Sequence, residues 1–117
     1  MYRGLIIKES LREEWILDYV QIESVEIWKT ENTPKYWTAI HFSSDREDFP
    51  EQLAKVLIAD PARGGIWYVD LKRDNVKYII LKGHVLTYQI GDEEGKRAVC
   101  DKCRSLGISE EQLDWAE

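Results

Sequence analysis

The chain has 117 residues, 32% charged and 44% hydrophobic, with a formal net charge of −6 and a pI near 5.0. That size implies one domain able to bury a core without disulfide or metal staples, and that composition excludes general disorder. The acidic balance argues against nucleic acid, which needs a basic stripe, and the absence of any apolar run of about 18 residues excludes a membrane-spanning helix.

The opening segment, Met1 to Glu9, gains charge too early for a secretory signal. With two cysteines and no export signal, a cytoplasmic location is expected. Arg3 to Lys8 reads as a first strand, in which Gly4 marks a bulge or a close backbone approach. Ser10, with Glu13 three residues on, is placed to cap a short helical turn, after which Trp15, Ile16 and Leu17 tuck under the sheet. Tyr19 to Lys29 reads as a second strand. Val20 and Ile22 have one parity and Val25 and Ile27 the other, so a bulge near Glu23-Ser24 is needed to return all four to one face. Thr30 to Lys35 is a loop in which Pro34 keeps Thr33 out of a helix, and Tyr36 to Phe42 is a third strand, largely apolar on both faces.

Asp48 is the expected N-cap of a helix with Pro50 in its first turn and an apolar stripe of Phe49, Leu53, Val56 and Leu57, ending by Asp60-Pro61. Gly64-Gly65 then swings the chain into an antiparallel meander of Ile66–Leu71, Val76–Leu81 and Val85–Ile90. Gly83-His84 suits a two-residue type II′ turn. Between the first two strands a four-residue loop, Lys72 to Asn75, is preferred over a two-residue one because it sets Asp70, rather than Lys72, opposite Lys77. One face collects Ile66, Tyr68, Ile79, Leu81, Leu86, Tyr88 and Ile90 and is core. The other is apolar at Trp67, Val69, Leu71, Val76, Tyr78 and Ile80, and turns polar at Thr87 and Gln89. Asp92 caps a second helix through Leu106, Gly107 and Ile108 form a Schellman ending on Cys103, and Ser109 to Gln112 starts a last turn carrying Leu113 and Trp115. The expected fold is α+β, order βββα-βββα plus a C-terminal turn, with a mainly antiparallel sheet of five or six strands and two principal helices.

Chemistry is sparsely signalled. Cys100 and Cys103 form a single CxxC without the second pair that zinc would want, and they sit late in a helix, where the dipole does not activate a thiol. They read first as packing residues and only secondarily as metal or redox candidates. His41 is a candidate general base, histidine being the side chain whose unperturbed pKa is close to working pH, with Asp70 and Tyr78 as partners near Trp37 and Trp67. No phosphate-binding glycine motif or EF-hand spacing is present, and no cofactor is expected. Five Trp and six Tyr exceed the needs of a small core. Aromatics anchor interfaces, so Trp67, Val69, Leu71, Tyr78 and Ile80 mark a candidate binding face unless a helix of the same chain covers it.

The opening Gly4-Leu5-Ile6-Ile7-Lys8-Glu9-Ser10-Leu11, the strand Trp37-Thr38-Ala39-Ile40-His41-Phe42, the Trp67-Tyr68 pair and the ending Leu106-Gly107-Ile108-Ser109-Glu110-Glu111-Gln112-Leu113-Asp114-Trp115 together resemble a group of short, uncharacterised prokaryotic proteins over most of the chain. The resemblance implies no activity, cofactor or catalytic residue. The expected function is a small interaction module, associating with itself or another protein through an aromatic-rich sheet face. The alternative is a small enzyme or ligand-binding protein with a pocket at His41, Trp37 and Trp67.

Overall fold

A computed structural model describes residues 1–31, 34–60 and 65–117. Its elements are β1 (Tyr2–Ile7), β2 (Gln21–Lys29), β3 (Tyr36–Ser44), α1 (Phe49–Val56), β4 (Ala59–Asp60), β5 (Gly65–Ile66), β6 (Tyr68–Arg73), β7 (Val76–Leu81), β8 (His84–Gln89) and α2 (Glu93–Ser105). The fold is α+β. Six strands make one sheet in the order β2-β3-β1-β6-β7-β8, every pairing antiparallel, while β4 and β5 form a separate two-stranded ladder. The halves are not copies of one unit, since the first contributes its strands as 2-3-1 and the second in simple meander order.

The two halves meet where β1 pairs with β6, Arg3 opposite Lys72 and Gly4 opposite Leu71. Gly4 permits this approach, because a Cβ there would stand 2.8 Å from the Asp70 carbonyl oxygen and 3.3 Å from the Leu71 Cα. In β2 the register against β3 shifts between Ile22 and Ser24, the bulge that the change of apolar parity requires.

The central strands are buried on both faces, so both sets of alternating side chains are apolar. On one face Phe49, Leu53 and Val56 of α1 pack with Tyr2, Ile6, Phe42, Val69, Leu71 and Ile80. On the other, Val99 and Cys103 of α2, with Ile108 and Trp115 of the tail, cover Ile79, Leu81 and Tyr88. Ile79 and Tyr88 thus point inward, as the meander reading requires, and each fully buried aliphatic or aromatic side chain contributes roughly 1.5–3 kcal/mol. α2 starts where Asp92 Oδ1 accepts the Gly95 amide at 3.1 Å. It stops at Gly107, φ 101°, with the Ile108 amide donating to the Cys103 carbonyl at 3.0 Å and the Gly107 amide to that of Arg104 at 3.1 Å, the expected Schellman ending.

Several local expectations are corrected. The first connection in the meander is the two-residue one: Arg73 pairs with Val76 and Lys72 stands opposite Lys77, with Asp74 at φ 54° in the turn. The like charges are tolerated because they diverge, Lys77 donating diagonally to Asp70 Oδ1 at 3.0 Å and to the Ala116 carbonyl at 2.6 Å while Lys72 reaches the Glu117 carbonyl at 3.4 Å. The second turn is Lys82-Gly83, with Leu81 opposite His84 and the positive φ (77°) at Gly83, its second position, rather than the first as a type II′ turn needs. The register moves by two residues, so every side chain keeps its face.

Ser10 caps nothing. Its hydroxyl donates back to the Ile7 carbonyl at 2.6 Å, and its own carbonyl accepts the Ile58 amide at 2.9 Å, pinning this segment to the chain leaving α1. The Asp48 carboxylate is taken by Arg46 Nε at 2.6 Å and Gln52 Nε2 at 3.0 Å, and makes no bond to the helix amides. Ser109 precedes a 3₁₀ turn, Glu110–Gln112, without a side-chain cap bond. α1 ends at Val56, several residues earlier than expected. The expectations at Thr33, Pro61 and Gly64 lie outside the described residues.

Candidate functional site

The two helices divide the sheet unevenly. Each packs mainly over the β1-β6-β7-β8 side, which leaves β2 outside both cores. All nine residues of Gln21–Lys29 are exposed, including Ile22 (50%), Val25 (53%) and Ile27 (65%). The bulge places these three on one face, and Trp28, also exposed, lies on the opposite face with Glu26. Tyr36, across from Lys29, extends the exposed apolar surface. As the terminal strand of the sheet, β2 is hydrogen-bonded along one edge only, and the other is a row of amide donors and carbonyl acceptors available to a further strand.

The surface expected from the sequence is not available. Val69, Leu71 and Ile80 are buried beneath α1, and Trp67 is 9% exposed with its ring edge-on to that of Trp37, centroids 5.0 Å apart. Tyr78 is half-buried against Tyr2, ring centroids 5.2 Å apart, and its hydroxyl accepts from Arg73 Nη2 at 3.3 Å. The chain's own helix covers this face, which corrects its assignment as an interface. The signal that misled was apolar alternation, which marks burial without saying what does the burying.

His41 and Asp70 do come together. They line a shallow trough of about 670 Å³ on the face that α2 leaves open, with Arg3, Glu23, Lys72 and Lys77. His41 Nε2 lies 2.7 Å from Glu26 Oε1, which orients the ring, and Asp70 is held by Lys77. Tyr78 belongs to the other face, so the proposed trio is not one site, and neither Trp37 nor Trp67 lines the trough. No Ser, Thr or Cys side chain is among the described residues that line it, and its polar groups besides the imidazole are carboxylates and cations.

Cys103 is fully buried and Cys100 half-buried. Burial pushes the Cys103 thiol up to about 11, with the neighbouring Cys100 adding to the shift, the reverse of what an activated thiol needs. Among the described residues no group of three or more His, Cys, Asp or Glu side chains is placed to hold a metal. Arg73 lies with its guanidinium 4.5 Å above the Tyr2 ring and donates to Glu47 at 2.8 Å, a bond that raises its pKa further, so this cation is already engaged. Among the described residues no helix is long and apolar enough to cross a membrane. Compared with family models, curated proteins and solved structures, the chain has no match.

Proposed function

We propose that this protein is an interaction module that accepts an extended strand of another polypeptide along the open edge of β2. The observation that supports this is the exposure of every residue of β2 together with three aliphatic side chains on one of its faces. Strand addition supplies affinity through main-chain bonds and selectivity through alternate side chains, and it needs no catalytic constellation. Two free cysteines fit a reducing compartment, so the cytoplasm is the proposed location.

The test is titration of isotope-labelled protein with short extended peptides of alternating β-branched and polar residues, followed by backbone amide resonances. Shifts should concentrate in Gln21–Lys29 and the facing part of β3, and a peptide N-methylated along its pairing edge should produce none. The trough supports a second reading, a site for a small polar ligand, on the strength of the His41–Glu26 bond. Shifts confined to His41, Asp70 and Lys77 during a small-molecule screen would favour that reading, and peptides that leave β2 unmoved at about 1 mM, the weak end of the affinity scale, would remove the first.

A further inference from the structure

Resting on the strand-addition reading, we infer that the strand accepted by β2 is β2 of a second copy, running antiparallel about a two-fold axis at Ile27. An isologous pair must be self-complementary, residue i meeting j and j meeting i. The bulge interrupts regular pairing at Glu23, which leaves Ser24–Lys29 as the straight segment. Directly opposed residues share a face, so within this segment only a centre on a residue keeps both faces aligned, and the two most central choices are Glu26 and Ile27.

A centre at Glu26 would place the two Glu26 carboxylates directly opposite one another, a destabilising arrangement. A centre at Ile27 sets Ile27 against Ile27, Val25 against the aliphatic stem of Lys29, and Glu26 against Trp28. No like charges then stand opposite. The most exposed large hydrophobic side chain among the described residues, Ile27 at 65%, comes to lie at the axis with Val25 of each copy diagonal to it. On the other face the two Trp28 rings become diagonal neighbours, within reach of each other. The segment carries one Glu and one Lys, so this pairing brings together locally neutral surfaces of a chain whose overall charge is −6. The product is one continuous sheet of twelve strands, twice the six of a single copy.

Sedimentation equilibrium from about 10 µM to about 1 mM, a span taken from the affinity scale, reads the association directly. The expected result is a shift from one chain to two, with Ile27→Lys weakening the dimer about tenfold or more while leaving the exposed position's fold intact by circular dichroism. Mild oxidation then reads the register: Ile27→Cys should give a disulfide-linked dimer, and Val25→Cys and the parent chain should not. Cross-linking of Glu26→Cys in place of Ile27→Cys overturns the register but leaves strand addition at β2 standing. A monomer throughout overturns the second copy as partner, and the peptide titration then decides strand addition separately. A dimer indifferent to Ile27→Lys overturns β2 as the contact between copies, and the peptide titration again decides strand addition separately.

Discussion

Cys103 lies fully buried in the cluster that holds Ile79, Tyr88 and Trp115, and its thiol is neutral there up to about pH 11, against an ordinary value of 9.0. Below pH 9 the thiol is protonated whether the chain is folded or not. Above it the unfolded thiol ionises while the folded one does not, so stability is present below 9 and is lost as pH rises toward 11. The full loss from this group is about 3 kcal/mol on the conversion between pKa shift and free energy. Tyr88 and Tyr2, both pushed up to about 12 chiefly by burial, add losses of the same sign at the alkaline end. Urea unfolding at pH 8.5 and 10.5 should show a smaller decline for Cys103→Ala than for the parent, and equal declines would show that the thiol has no part in it. At this scale the sequence was partly legible. Cys103 as a packing residue follows from its place on the apolar face of a helix, and the Asp70–Lys77 partnership from their neighbouring strands. What escaped was that Lys77 satisfies Asp70 diagonally under a tail whose Ala116 carbonyl takes a second bond.

Among the elements, α2 and its ending were the most readable, because each signal there is local: an Asp at the cap, charged residues outward, Gly at C′ and an aliphatic residue after it. The weaker caps failed for a common reason. Ser10 and Ser109 precede no α-helix, only 3₁₀ turns or bends, and the Asp48 carboxylate has two stronger side-chain partners. The tail after α2 has no regular structure beyond Glu110–Gln112, yet it is fixed. Trp115 Nε1 donates to the Tyr88 hydroxyl at 2.9 Å, its ring stands edge-on to Tyr68 at 5.8 Å, and the Tyr68 hydroxyl donates to the Gln112 carbonyl. Trp115→Ala should therefore cost roughly 3–5 kcal/mol, as large aromatic truncations in a core do. Denaturant midpoints measure it. A cost below about 1 kcal/mol, the range of an exposed site, would mean that the tail merely rests on the sheet.

For the molecule as a whole, the element order was legible and the strand order was not. Which strand ends at the edge is decided by the pairing of β1 with β6, between residues far apart in sequence, and only Gly4 hints at it. For that reason the apolar surplus could be recognised but was assigned to the meander, when the meander's second face is under α1 and the unpartnered aliphatic side chains are on β2. The proposed dimer joins two bodies of charge −6 each through the Ser24–Lys29 segment of β2, whose one Glu and one Lys cancel. Added salt screens the repulsion between the bodies and takes little from the contact itself, so dimerisation should strengthen several-fold between about 20 mM and 300 mM NaCl. Weakening over the same range would point instead to an interface held by ion pairs.

The absent side chain at Gly4 has a consequence for how the native state is reached. The last three strands can zip through neighbouring hairpins, and β2 and β3 through their own, from contacts near in sequence, whereas β1 joins β3 through distant pairs such as Tyr2 with Ser44. The union of these two ribbons rests on two residue pairs that span most of the chain. Bulk added at Gly4 would then act on the late docking of one ribbon against the other, leaving two correctly folded pieces waiting for a seam that no longer closes.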